Sequence, residues 1–232
     1  MIKFKTSTGI DFKLPASLRD VTLQKYIEFL QFVIPTKPKI LERLDAAENE
    51  NDFNEILNEI DAIITAREIH PYYLRVLEFW TGLKYSDLEN MNVQNLNWCY
   101  NYLMKMFNNM PDPEYSNVFE VDGELWYLPE RYMTNSTVIE YAESAQFQQN
   151  MKDLAGGDWQ AMAKIMCVIC RKKDEVYRST LLRREKMFLG WNLENIYRVA
   201  FFLLKRSETL ALSFQAFTSA QDLARLKRVL KN

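Results

Sequence analysis

The chain has 232 residues, of which 48% are apolar and 26% are charged, with 29 Lys and Arg against 31 Asp and Glu. These ordinary globular values exclude collagen-like and extensively disordered classes. The resulting net charge of −2 argues against a dedicated DNA-binding domain. No signal peptide is visible, the most apolar run is far shorter than the ~20 residues of a membrane span, and the three cysteines predict reduced thiols.

Only 6 of the residues are glycine, and this scarcity predicts a mainly helical chain because glycine supplies the positive φ of turns and loops. No glycine-rich phosphate-binding motif is present. The first half opens with a predicted hairpin over 2–14, in which short β-like runs flank Thr8-Gly9. Capping residues and apolar periodicity then predict helices over 22–33, 38–47, 52–69, 71–81, 86–89 and 93–108.

Residues 111–116 form the strongest break in the chain, because Pro111 and Pro113 oppose helix on both sides. We therefore expect an N-terminal half at 1–110 and a C-terminal half at 117–232, joined by this Pro-rich linker. The second half opens with another predicted hairpin, whose Asp122-Gly123 turn is typical of tight β-connections. Further helices are expected over 134–154, opened by Thr134, and over 158–173, 177–189, 193–217 and 219–230. The predicted fold is α+β, mainly helical and bundle-like, with two small hairpins.

The two hairpin regions resemble each other and indicate an internal duplication. Gly9 and Gly123 each lie five residues before a Leu-Pro pair, at Leu14-Pro15 and Leu128-Pro129. A threonine follows in each half, and an Ile-Glu-aromatic triplet follows five residues later, at Ile27-Glu28-Phe29 and Ile139-Glu140-Tyr141. Chance similarity between two hairpin–helix units is the alternative.

The order hairpin, Leu14-Pro15, then Thr22-x-x-x-x-Ile27-Glu28 resembles small virion-assembly proteins of tailed bacteriophages, most of all tail-assembly chaperones and neighbouring structural proteins. The stretch from Trp80 to Glu89, where a helix ends at Gly82 and a short capped helix follows, also resembles these phage proteins. The resemblance implies a non-enzymatic protein that binds other phage structural proteins in the host cytoplasm, with retention in the virion as a further expectation. A connector or ring subunit of the mature particle is the alternative role.

No residue pattern predicts catalysis, a cofactor or a metal site. Cys167-x-x-Cys170 lies within an apolar helical stretch, so core packing is favoured over zinc or redox chemistry. No Ser or Cys nucleophile and no acidic orienting residue stand out for the single His70, so a surface or capping role is favoured over catalysis. Asp112 and Glu114 lie in the Pro-rich linker, which favours a solvated loop over acid–base work.

Charge is distributed unevenly along the chain. Residues 42–68 carry nine acids and two bases, whereas residues 164–186 carry eight bases and three acids. Solvated helix faces are the default interpretation. The sharper hypothesis is a homo-oligomer in which the acidic segment of one copy contacts the basic segment of the next. A nucleic-acid-binding accessory protein that uses the basic segment is the alternative, and the candidate contact residues are Arg171, Lys172, Lys173, Arg183 and Arg184.

Two further segments are candidate partner sites. Trp126 and Tyr127 lie on the second hairpin, whose two faces both need cover, so one face is a candidate interface and full burial is the alternative. The segment 219–230 places Leu223, Leu226 and neighbouring apolar residues on one predicted helix face, with Arg228 among the bases that cover the rest. It predicts a helix that docks in a partner's groove, packs on its own domain or, least favoured, lies on a membrane surface.

Overall fold

A computed structural model describes residues 1–5, 9–108, 116–129, 137–150, 159–176 and 179–202. These residues are mostly helical and include two antiparallel two-stranded sheets, which confirms the predicted α+β, mainly helical class. The chain divides into two compact units, Met1–Met110 and Pro111–Asn232, and the division falls at the start of the Pro-rich segment.

The first unit contains two strands, seven α-helices and short 3₁₀ turns among its described residues. The strands are β1 (Ile2–Lys5) and β2 (Asp11–Leu14). The helices are α1 (Leu23–Val33), α2 (Lys39–Asp45), α3 (Glu50–Glu59), α4 (Ala62–Ile64), α5 (His70–Thr81), α6 (Tyr85–Leu88) and α7 (Val93–Asn108), with 3₁₀ turns at Leu18–Asp20 and Ile34–Thr36.

The first hairpin has the predicted alternation. β1 pairs with β2 so that Phe4 lies opposite Phe12, and Phe12 and Leu14 are buried while Lys13 between them is exposed. This alternation arises because successive strand side chains point to opposite faces. The hairpin therefore turns one apolar face towards the helices of its unit and leaves its lysines on the outside.

An aromatic cluster forms the core of the first unit where α1, α5 and α7 meet. The ring of Phe29 lies 5.1 Å from that of Trp80 and 5.7 Å from that of Phe107, centroid to centroid. Leu77 and Leu103 pack in the same core with no exposed surface. Each such side chain contributes ~1.5–3 kcal/mol by leaving water, so this cluster holds the three helices together.

The single helix predicted over 52–69 is wrong, because the chain breaks at Ile60 and Asp61. The carboxylate of Asp61 accepts hydrogen bonds from the N–H groups of Ile63 and Ile64, at 2.8 and 2.7 Å, and so begins a new helix. A π-helical turn over Thr65–Ile69 then leads into α5 at His70, immediately before Pro71. An aspartate can cap a helix even within an apolar pattern, and the periodicity alone does not reveal it.

The sequence Ser86-Asp87-Leu88-Glu89 predicts a capping box that opens a short helix at Ser86, and this prediction is also wrong. The short helix α6 begins at Tyr85, and the side chain of Glu78 accepts the N–H of Tyr85 at 3.2 Å. This carboxylate comes from α5, seven residues earlier in the chain. The preceding helix does end as predicted, at Gly82, whose φ of 70° is the left-handed conformation that glycine favours.

The second unit contains a hairpin, four described helical stretches and a 3₁₀ turn. Its elements are β3 (Val118–Val121), β4 (Glu124–Tyr127), α8 (Val138–Asn150), α9 (Trp159–Ile169), a 3₁₀ turn at Ser179–Arg184, α10 (Glu185–Leu189) and α11 (193–202). The hairpin turn has positive φ at both Asp122 (53°) and Gly123 (80°), as the Asp-Gly pair predicts.

The centre of the second unit is α9. Nine of its eleven residues are buried, among them Met162, Ile165 and Met166 with no exposed surface. The predicted extension to 173 is wrong, because the chain leaves the helix at Cys170 and Arg171 pairs with Tyr127 of β4. Their backbone groups exchange two hydrogen bonds of 2.7 and 2.9 Å, which fix the end of α9 against the hairpin.

The helix predicted to open at Thr134 begins instead at Val138, and Thr134 itself lies outside the described residues. Thr137 and Glu140 cap it reciprocally: Thr137 N–H donates to the Glu140 carboxylate at 2.7 Å, and Glu140 N–H donates to the Thr137 hydroxyl at 3.3 Å. This is the capping-box arrangement.

The two hairpins are alike in their second strands, where an aromatic residue and a leucine two positions later are buried in both: Phe12 with Leu14, and Trp126 with Leu128. The helices that follow differ. Ile27 is buried inside α1, whereas its counterpart Ile139 lies in the first turn of α8 and is 62% exposed. The duplication therefore stays a prediction that only the hairpins favour.

Candidate functional site

Three of the candidate basic residues are held by carboxylates of their own unit. Arg171 lies 2.9 Å from Glu140 and also donates to the carbonyl groups of Cys167 and Cys170 at the end of α9. Lys172 lies 2.7 Å from the Glu124 carboxylate. Arg184 lies 2.5 Å from the Glu175 carboxylate. These ion pairs neutralise much of the positive charge of residues 164–186, the segment predicted to contact DNA or a second copy.

Lys173 and Arg183 remain exposed in the same segment. Lys173 follows the end of α9, and Arg183 lies in the 3₁₀ turn at Ser179–Arg184. The predicted basic surface is thus smaller than the charge of the sequence indicates, and no observation on it favours nucleic acid over water.

The structure favours the alternative of burial for Trp126, contrary to its selection as an interface residue. Its side chain is 1% exposed, and its ring lies 5.0 Å from that of Trp191 and 5.6 Å from that of Phe188. The cations of Lys172 and Arg184 lie 5.6 and 5.7 Å from the Trp126 ring. The neighbouring Tyr127 is half-buried. The opposite face of β4 carries Leu125, which is 52% exposed.

Two salt bridges of this unit depend on pH. Burial raises the pKa of Glu140, but hydrogen bonds from Thr137 N–H and from Arg171 outweigh it and hold this pKa below the usual 4.5. The hydrogen bond from Arg184 lowers the pKa of Glu175 in the same way. Because folding depresses both pKa values, the ionised carboxylates stabilise the folded state above the unfolded pKa, and this stabilisation is lost as pH falls through the folded values.

We expect the free energy of unfolding to fall as the pH is lowered below 4.5, and to fall less steeply in a Glu140→Gln, Glu175→Gln variant. Denaturant midpoints measured from neutral pH down to about pH 3 test this. Glu120→Gln is the matched control, because Glu120 is exposed on β3 of the same unit. Equal slopes in all three proteins would contradict the assignment.

The acidic segment is available at the surface. All nine acids of 42–68 are exposed. Within the described chain, Asp45 is paired with Lys37, and Glu59 forms a two-bond pair with Arg43 at 2.6 and 2.8 Å. All ten residues of α3 are described and only Ile56 is buried, so Phe53 and Leu57 stand exposed among the carboxylates. We call this surface the acidic α3 face.

An aromatic notch lies beside the first hairpin, and the sequence analysis missed it. A cavity of about 330 Å³ is lined by Phe4, Lys5, Phe12, Met91, Asn95, Trp98 and Cys99. The ring of Phe4 lies 5.2 Å from that of Trp98, which is 52% exposed. The sequence contained one indication. Trp98 and Tyr102 are four residues apart, so they lie on the same side of α7, away from the buried Leu96, Cys99 and Leu103.

A second cavity of about 380 Å³ lies beside α5 and is lined by Thr36, Pro38, Arg67, Glu68, Pro71, Tyr72, Arg75 and Tyr85. Its two arginines are balanced by acids nearby: Arg75 bonds Glu78 at 2.6 Å and lies 5.0 Å from the Tyr85 ring, and Glu68 is adjacent to Arg67. This cavity therefore lacks a strong excess of one charge.

The residues considered for chemistry lie apart. Cys167 and Cys170 are buried, and burial raises the pKa of Cys167 to about 12 and that of Cys170 further. Thiols of this kind are poor nucleophiles. His70 is half-buried with its ring 6.3 Å from that of Tyr73. Among the described residues no three His, Cys, Asp or Glu side chains converge on a metal position. Asp112 and Glu114 lie outside the described residues.

The candidate residues Leu223, Leu226 and Arg228 also lie outside the described residues. In the part of the chain that the structure describes, no helix combines the length and apolar character needed to cross a membrane. Comparison of the chain with protein-family models, with curated proteins and with solved structures gave no match.

Proposed function

We propose that the protein acts without catalysis, through protein–protein contacts, in the assembly or structure of a tailed-bacteriophage particle. A tail or head–tail assembly chaperone is the first choice, and a connector or ring subunit of the mature particle is the second. The observation that carries the protein-contact part is the pair of exposed surfaces on the first unit. Apolar side chains such as Phe53 and Trp98, which are 41% and 52% exposed, stand among charges, as in contact surfaces.

The phage assignment rests on the resemblance of the hairpin, Leu14-Pro15 and the Thr22-capped helix to virion-assembly proteins. The structure gives each of these residues a folding role. Leu14 has no exposed surface, and the Thr22 hydroxyl accepts the N–H of Lys25 at 3.2 Å at the start of α1. We place the protein in the host cytoplasm during assembly, bound to other structural proteins of the particle.

The test is fractionation of cells that produce the particle, with an epitope-tagged full-length chain followed through a density gradient. We expect the chain in fractions that contain tail or head–tail intermediates. Presence in intermediates and absence from mature particles would support the chaperone, whereas stoichiometric retention in mature particles would support the connector or ring subunit. A chain that never sediments with particle proteins, and whose deletion leaves the particle yield unchanged, would contradict both roles.

A further inference from the structure

We propose that the protein self-associates head to tail, with the acidic α3 face of one copy seated in the aromatic notch of the next. The inference rests on the proposed function, which requires protein–protein contacts, and it names one partner: a second copy of this chain. Both surfaces belong to the first unit. The acidic segment keeps the role that the sequence analysis gave it, but its basic counterpart becomes the first hairpin instead of residues 164–186.

The first element of the argument is the apolar pair on α3. Phe53 and Leu57 are four residues apart, so they are neighbours on one side of the helix. They are 41% and 43% exposed, whereas Ile56 between them is buried in a small cluster with Ile40 and Ile69. α3 thus has its own inward face against that cluster and a second apolar pair that its unit leaves in water. An amphipathic helix with such a pair fits the helix-in-groove mode of recognition.

The second element is the rigidity of the notch. The rings of Trp98 and Tyr102 stack in parallel, 5.3 Å apart with an interplanar angle of 7°. The Tyr102 hydroxyl donates to the carbonyl oxygens of Pro15 and Ala16, at 3.0 and 3.1 Å. The ring of Phe4, which lies 5.2 Å from that of Trp98, stacks on Phe12 at 5.4 Å. Because Trp98 is held in place before any partner arrives, a side chain entering the notch need not pay to order it.

The third element is charge. Lys5 lines the notch and is exposed, and Lys3 and Lys13 are exposed on the outer face of the same hairpin, opposite Phe4 and Phe12. The acidic α3 face brings Glu50, Asp52 and Glu55, all exposed, around its apolar pair. Carboxylates of a second copy would meet the charge of Lys5 at the notch and set the register of the contact.

The basic segment of the second unit is a weaker counterpart. Arg171, Lys172 and Arg184 are already bonded to Glu140, Glu124 and Glu175. A contact there would have to break existing ion pairs, whereas the lysines of the first hairpin face only one carboxylate in their own register, where Lys5 is opposite Asp11.

The two surfaces are different patches of one molecule, so the contact is heterologous. Each copy has one acidic α3 face and one notch. In a row of copies, the acidic α3 face stays free at one end and the notch stays free at the other. Such contacts give rings when the rotation between copies closes and filaments when it does not. A ring subunit and a chaperone that coats an extended partner both use contacts of this class.

The experiment is light scattering coupled to size exclusion on the full-length protein. We expect self-association that rises with protein concentration at about 0.05 M salt and weakens at about 0.5 M, because salt screens exposed charges. Two variants disable one surface each: Phe53→Ser with Leu57→Ser removes the α3 pair, and Trp98→Ala empties the notch. Each variant alone is expected to be monomeric. Mixed one to one, they are expected to form a heterodimer, because one intact face and one intact notch remain in the mixture.

Val138→Ser is the matched control, because Val138 is 85% exposed in the other unit and should leave association unchanged. Circular dichroism checks that every variant is folded, and Lys5→Glu at the edge of the notch replaces Trp98→Ala if that variant unfolds. A monomer at every concentration and salt would overturn the proposal, as would an oligomer that survives both variants or a mixture that stays monomeric. None of these results bears on sedimentation with phage particles, so the proposed function stands or falls separately.

Discussion

Replacement of Trp126 by alanine is expected to lower the free energy of unfolding of the second unit by about 3–5 kcal/mol. The side chain is 1% exposed and lies edge-on to Phe188 and Trp191, with the latter also stacked edge-on against Phe119. Removing the indole leaves a cavity that these rings cannot fill without leaving their own positions. It also removes the ring over which Lys172 and Arg184 are placed.

Chemical denaturation measures this change, and hydrogen exchange followed by mass spectrometry assigns it to residues 117–202. Leu125→Ala is the control, because Leu125 is the adjacent residue on the opposite face of β4 and is 52% exposed. We expect it to change the free energy of unfolding by less than about 0.5 kcal/mol. Equal destabilisation of the two variants would contradict the burial of Trp126 and its role in anchoring the hairpin.

The hairpins were predictable from the sequence because their determinants are local. Asp122-Gly123 supplies two residues that accept positive φ, and the flanking residues alternate with the period of a strand. The first hairpin follows from the same alternation of Phe12 and Leu14 with charged neighbours. The ends of α5 and α1 were predictable for the same reason, since Gly82 and Thr22 act within one turn of their own helices.

The errors arose where a residue distant in sequence, or an unrecognised capping residue, decides the local structure. α6 begins where Glu78 of the preceding helix accepts the N–H of Tyr85, a contact that the Ser86 pattern does not contain. α8 is capped by Thr137, which exchanges hydrogen bonds with Glu140 three residues later. Asp61 interrupts an apolar pattern that continues on both of its sides.

The candidate surfaces were predictable only in part, because a count of charges along the chain ignores partners that folding supplies. Arg171 and Lys172 belong to a segment of net positive charge, yet their carboxylates come from 31 and 48 residues away. The acidic segment has few such partners and remains at the surface, as its composition indicates. The notch needs Phe4 and Trp98 together, and no sequence pattern links a first-strand residue to a helix 94 residues later.

Replacement of Arg171 by methionine is expected to lower the free energy of unfolding by about 3 kcal/mol at neutral pH, because it strands the Glu140 carboxylate in a poorly solvated position. The two side chains are only 11% and 15% exposed and lie 2.9 Å apart. Arg171 also bonds the carbonyl groups of Cys167 and Cys170, so methionine leaves the end of α9 without its cap. Urea or guanidinium denaturation measures the change, with the exposed Lys173→Met as the matched control.

The second variant that separates charge from packing is Glu140→Gln combined with Arg171→Met. A neutral amide at position 140 removes the stranded charge, so the double variant is expected to be more stable than Arg171→Met alone.

The pH dependence of the stability of Arg171→Met tests the role of Glu140 independently. Without Arg171, Glu140 loses the hydrogen bond and the charge that this arginine supplies, so the pKa of Glu140 moves up from its lowered value. Protonation then relieves the penalty on acidification, and the difference in stability from the natural chain narrows towards about pH 4. Two results together would contradict the role of Glu140: a stability difference between Arg171→Met and the natural chain that does not change with pH, and a double variant no more stable than Arg171→Met. Arg171 would then act through its packing and its carbonyl contacts.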